Sequence, residues 1–166
     1  EIYNSTITAP NGTYIESDVP TSTEPYLWIH DTTFTNPDPS NIYSTAIYML
    51  SAAGTFEMCT FTNYTNGIYA NASDITVGSS TFTGITGLDI NMTAGAHVFM
   101  VDSTFNKTNV LFQDYASILD IGWYLTVNVE TILGNRVPDA HVTAQSANGS
   151  ITEDGVTDSN GQCVFM

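Results

Sequence analysis

Cations are almost missing from this chain. Lys107 and Arg136 stand against 17 acidic residues, a net charge of −15 over 166 residues. With nothing to neutralise phosphate, nucleic acid is excluded as a partner, and anionic membrane surfaces repel such a chain. Charge of either sign is scarce, at 11% of residues, while 42% are apolar, which excludes a disordered tail. Thr, Ser, Asn and Tyr must then cover the outside, a surface common outside cells and unusual for a cytosolic enzyme. Cysteine is limited to Cys59 and Cys163, so no paired-cysteine motif exists. No transmembrane run or signal peptide is present, and no direct membrane insertion is expected. No segment keeps a 3.6-residue apolar period, which excludes helical repeats. Nucleophile elbows and phosphate loops are absent too.

What the chain has is a repeat. Thr33-Phe34-Thr35, Thr60-Phe61-Thr62, Thr81-Phe82-Thr83 and Thr104-Phe105-Asn106 place four phenylalanines in one frame, at steps of 27, 21 and 23 residues. Ser5-Thr6-Ile7-Thr8 extends the series upward, with Ile7 in the Phe place. A unit of this period marks a stacked-repeat protein. In the eight residues ending at each Phe, the third place is apolar (Ile29, Phe56, Val77, Met100). The sixth is small (Thr32, Cys59, Ser80, Ser103), and the seventh is Thr. Period-2 alternation puts the sixth and eighth places inside and the threonines outside.

A second strand follows each Phe after a turn: Ala46-Ile47-Tyr48, Gly67 to Asn71, Gly87 to Asn91, and Asn109 to Phe112. Short strands at this period, without a Leu-x-x-Leu-x-Leu frame, predict an all-β fold. It is a parallel β-helix of about five coils over residues 1–121. These repeats resemble the right-handed β-helix repeats of microbial, especially archaeal, cell-surface proteins. The pattern breaks at Ile121-Gly122-Trp123. Residues 122–166 then offer Tyr124 to Val129, a Gly134-Asn135 turn, Val137-Pro138-Asp139-Ala140 before His141 to Ala144, and Thr157 to Gly161 before Gln162 to Phe165. This order resembles the carboxypeptidase-regulatory-like or Ig-like β-sandwich modules of surface proteins. Three or four strands, where a sandwich needs about seven, read as an incomplete module. An uncapped first coil and a last strand cut short predict a piece of a longer surface chain, or self-association into a polymer or lattice.

Seven Asn-x-Ser/Thr sequons, at Asn4, Asn11, Asn63, Asn71, Asn91, Asn106 and Asn148, use half of the fourteen asparagines. N-linked glycans on a subset are expected, with Asn11 and Asn148 the most favourable because each precedes Gly. Asn71 and Asn91 are expected to align on adjacent coils, about 4.8 Å apart, where two glycans would crowd each other. Cys59 is expected as a buried free thiol; a bridge to Cys163 is the alternative. Asp31 and Asp102 share the fifth place but lie three coils apart, about 14 Å, too far for a glycosidase pair. The only coil cation for lyase chemistry is Lys107. His30, His97 and His141 show no metal-ligand spacing. Asp154, Asp158 and Asn160 give a faint calcium-loop pattern, with an Asx turn as the simpler account. The expectation is a non-enzymatic extracellular protein of the cell envelope, such as a surface-layer, sheath or filament scaffold, without a cofactor. The alternatives are a glycan-binding adhesin using Tyr43, Tyr48 and Tyr69, or a β-helix polysaccharide lyase or hydrolase.

Overall fold

The computed structural model describes residues 1–16, 26–147 and 149–166, and the chain divides into two compact units, 1–122 and 123–166. The first unit winds in coils. β1 (Ile2–Tyr3), β2 (Thr6–Thr8) and β3 (Thr13–Glu16) belong to the first coil. β4 (Tyr26–His30), β5 (Thr33–Thr35) and β6 (Thr45–Leu50) form the second. β7 (Ala53–Glu57), β8 (Thr60–Thr62) and β9 (Asn66–Asn71) form the third. β10 (Asp74–Gly78), β11 (Thr81–Thr83) and β12 (Ile90–Thr93) form the fourth. β13 (His97–Val101), a 3₁₀ turn (Lys107–Asn109) and β14 (Val110–Phe112) form the fifth, and β15 (Ile118–Gly122) opens a sixth. Gly122, assigned from sequence to the second module, therefore closes a coil strand.

The strands stack into three parallel sheets, ordered β1-β4-β7-β10-β13-β15, β2-β5-β8-β11 and β3-β6-β9-β12-β14; the first four coils lay one strand on each, and the fifth lays strands on the first and third only. The fold is all-β, and this arrangement is β-helix-like. The inward columns follow the expected register: Ile29, Phe56, Val77 and Met100 pair in turn on the first sheet, and Ile7, Phe34, Phe61 and Phe82 on the second. Phe34, Phe56 and Phe61 are fully buried, while Phe82 and Phe105 pack on the core with part of each ring open. Burying one such side chain contributes about 1.5–3 kcal/mol, and the columns repeat it coil after coil.

The corner between the first two sheets is backbone in the left-handed region at Asn4, Asp31, Met58, Ser79 and Asp102, with φ between 46° and 51°. A non-glycine residue there costs roughly 1–3 kcal/mol. Coil-to-coil hydrogen bonds hold it: the N–H of Asp31, Met58 and Ser79 donates to Glu57, Gly78 and Val101 carbonyls at 2.9–3.0 Å. The sixth place is small for a hydrogen-bonding reason as well as a steric one. Ser80 Oγ accepts the Cys59 N–H (2.9 Å) and donates to the Gly78 carbonyl (2.8 Å). Ser103 Oγ does the same for the Ser80 N–H (3.0 Å) and the Val101 carbonyl (2.9 Å). Buried amides at the corners are thereby satisfied. Cys59 occupies this column as a free thiol, and burial pushes its pKa up.

One alignment differs from expectation. Ile90 pairs with Ile68, and Asn91 with Tyr69, while Asn71 pairs with Thr93. The sequons at Asn71 and Asn91 are thus not opposite each other. Pairing Ile90 with Ile68 and Met92 with Ala70 keeps four apolar side chains inside. Gly87 and Leu88 instead belong to the turn, where Gly87 N–H donates to the Thr65 carbonyl (2.7 Å) and Leu88 N–H to Asn66 Oδ1 (3.1 Å).

In the second unit, β16 (Leu125–Asn128) pairs antiparallel with β19 (Gln162–Phe165), and β17 (His141–Gln145) with β18 (Thr152–Val156). Cys163 and Phe165 are its buried apolar residues. Gly155 lets β18 approach them, since a Cβ there would lie 2.3 Å from Cys163 Sγ. Buried Thr157 donates to the Val137 carbonyl (2.7 Å) and accepts the Ala140 N–H (2.9 Å), fixing the lead-in to β17.

Candidate functional site

The sequons fall into two groups. Asn4, Asn11, Asn63 and Asn106 are exposed and lie in turns between strands; Asn71 and Asn91 are half-buried within β9 and β12. The hydroxyl of the Asn71 sequon, Ser73, is buried and bonded to the Asn71 carbonyl (2.8 Å) and the Ala52 N–H (3.3 Å). Asn91 Oδ1 accepts Gln113 Nε2 (2.7 Å). Asn106 caps the 3₁₀ turn, its Oδ1 accepting the Thr108 N–H (3.0 Å) and Oγ1 (2.8 Å). Asn148 lies outside the described residues.

Two of the three tyrosines singled out from sequence do converge, with a third that was not. Tyr14, Tyr48 and Tyr69 stack along the outer face of the third sheet, with ring centroids 5.1 and 4.5 Å apart. Their rings face each other, so both faces of Tyr48 are covered. Tyr43 is exposed in the turn before β6, outside this ladder. His30 lies between carboxylates: Nδ1 to Asp31 at 3.0 Å and Nε2 to Glu1 at 3.2 Å, with Tyr3 stacked on the ring. The bonds to Asp31 and then Glu1 push its pKa up. His97 bridges Asp120 (2.9 Å) and Asp74 (3.6 Å) from adjacent coils. His141 is exposed in the second unit.

The carboxylates of the calcium pattern have local hydrogen-bond partners. Asp158 Oδ1 accepts the Asn160 N–H (2.7 Å) and the Gln162 N–H (2.9 Å), an Asx turn, and the Gln162 bond leads in holding its carboxyl below the ordinary range. Asp154 instead accepts the Thr143 hydroxyl at 2.6 Å across β17 and β18. Among the described residues no group of three or more His, Cys, Asp or Glu stands where it could hold a metal ion. Asp31 and Asp102 remain at corners of different coils.

A cleft of about 330 Å³ opens where the repeat loosens, between the fourth and fifth coils. The second sheet ends at β11. The fifth coil adds a single bridge, Thr81 to Thr104, and the stacked phenylalanine series, among the described residues, ends at Phe82. Phe82, Ile85, Phe105, Thr104, Asn106 and Asn109 line the opening together with Asp89, which is only 4% exposed. Asp89 Oδ2 accepts the Asn106 N–H at 2.5 Å. Burial pushes its carboxyl up, against bonds from Asn106 and the Asn109 side chain. Sequence reasoning passed over Asp89 as part of a strand. Its signal was a carboxylate inside an apolar run, one coil before Thr-Phe-Thr becomes Thr-Phe-Asn.

No family model, curated protein or solved structure matches the chain.

Proposed function

We propose that this chain is a structural segment of a cell envelope: a rigid extracellular scaffold that carries N-linked glycans and associates with copies of itself. The observation behind this reading is the placement of the sequons. Asn4, Asn11, Asn63 and Asn106 stand in exposed turns, where a glycan adds to the outside without cutting a sheet. Three parallel sheets with hydroxyl-bonded corners support rigidity along the stack. The polar, cation-poor surface supports an extracellular setting. β14 supports association: it ends the third sheet with Leu111 and Phe112 exposed, and an edge strand is a template for pairing. The second unit, with two antiparallel pairs, serves in this reading as an Ig-like connecting module.

The tyrosine adhesin finds less support, because the ladder spends its ring faces on itself. Glycopeptide mapping and electron microscopy of native material test the proposal together. Glycans on the four turn sequons, in material arranged as a lattice or fibre, are expected. An unmodified chain present only as free monomers overturns it.

A further inference from the structure

We propose that the cleft between the fourth and fifth coils is a saccharide-binding subsite. Asp89 and Asn109 would take sugar hydroxyls there, and Phe82, Phe105 and Ile85 would cover the apolar face of the ring. The site is distinct from the outer tyrosine ladder and shares one residue, Asn106, with the turn sequons of the scaffold reading.

The donor set selects the ligand. A buried carboxylate, in a chain of net charge −15, turns away phosphates and carboxylates. A lone carboxylate among amides is too poor a set for a calcium ion, which takes six to eight oxygen ligands. A purely apolar ligand would leave the remaining acceptor positions of Asp89 unfilled. A neutral ring bearing hydroxyls on its edges and C–H groups on its face satisfies both kinds of wall. Asp89 retains capacity for it: a carboxylate offers about four acceptor positions, and the Asn106 N–H and the Asn109 side chain occupy two. The cleft volume of about 330 Å³ falls at the small end of the range of about 300–1,000 Å³ for small-molecule sites.

The site is preorganised. Asp89 N–H donates to the Asn109 carbonyl (2.9 Å), and its own carbonyl accepts the Ile68 N–H (2.9 Å). Beneath it, Gly67 leaves no room to shift: a Cβ there would meet the Asp89 carbonyl at 2.4 Å and the Phe82 ring at 2.7 Å. Phe82 is stacked on Phe61 on its inner side, at 4.7 Å. Walls held this way lose little freedom on binding. Burial also makes Asp89 costly to the fold, a cost that hydroxyl donors from a bound sugar would offset.

The test is an NMR titration of the unglycosylated full chain with a panel of neutral sugars: glucose, galactose, mannose, N-acetylglucosamine and their β-linked disaccharides. A saturable response to at least one is expected, with intermolecular contacts from sugar protons to the Phe82 and Phe105 rings. Asp89→Asn should weaken binding by about tenfold or more while the chain stays folded, and Asp31→Asn, at the corner of the second coil, should leave it unchanged. The contacts in the unaltered chain decide the matter even if Asp89→Asn misfolds. No saturable response from any sugar, contacts that map to Tyr14, Tyr48 and Tyr69, or full binding by folded Asp89→Asn would each overturn the proposal. Because the chain is unglycosylated, failure here leaves the scaffold reading untouched.

Discussion

Truncating Phe61 to alanine probes the inner column at its tightest point. The ring is fully buried and lies between Phe34, 5.1 Å away at 16°, and Phe82, 4.7 Å away at 27°, with Phe56 edge-on at 6.1 Å. Phe→Ala in a core costs about 3–5 kcal/mol, including the cavity left behind. The two lost stacks, worth about 0.5–1.5 kcal/mol each beyond area, place Phe61 at the upper end. Phe105 occupies the same frame but is half-open and faces the cleft. Its removal enlarges an existing opening rather than creating a sealed void, so Phe105→Ala should cost about 2 kcal/mol. Urea unfolding followed by Trp28 fluorescence, with Trp123→Phe as common background, measures the coil unit alone. Equal costs at the two positions, or less than about 1 kcal/mol for Phe61→Ala, would refute the column argument.

The other outcomes concern charge and backbone. Asp89→Asn should raise the melting temperature at neutral pH. With a folded pKa above the unfolded one, Asp89 contributes stability only below the unfolded carboxylate range and loses it as pH rises through the folded value. The gap between variant and parent in calorimetry should therefore close towards low pH; a constant gap would count against burial as the cause. His30 should titrate in NMR above the free-histidine value, and Asp31→Asn should bring it down. Its stabilising contribution is complete below the unfolded histidine pKa and fades as pH rises through the folded one. Gly67→Ala should disorder the fourth coil, because its Cβ meets backbone and a packed ring. Unchanged hydrogen exchange in β9 and β12 would contradict that.

The sequence alone determined the inner columns. Alternation with period 2 forces the Phe and sixth places to one face, and a wrong register would expose every phenylalanine at once. That is why the pairings of Phe34, Phe61 and Phe82, and of Ile29, Phe56, Val77 and Met100, could be read in advance. Tertiary structure decided what turns do. The turn after Phe82 takes up Gly87 and Leu88, which slides Asn91 opposite Tyr69 and Met92 opposite Ala70. The sequence leaves that choice open, because Leu88 and Ile90 are both apolar and only packing ranks them. The sixth-place hydroxyls look like small fillers until the next coil supplies the amide they accept. Asp89 looks like one more strand residue until the fifth coil supplies the Asn106 N–H that its carboxylate accepts and the Asn109 carbonyl that takes its own N–H. Its burial and its cleft depend on contacts about twenty residues apart along the chain, and a residue's own neighbours in sequence carry no record of them.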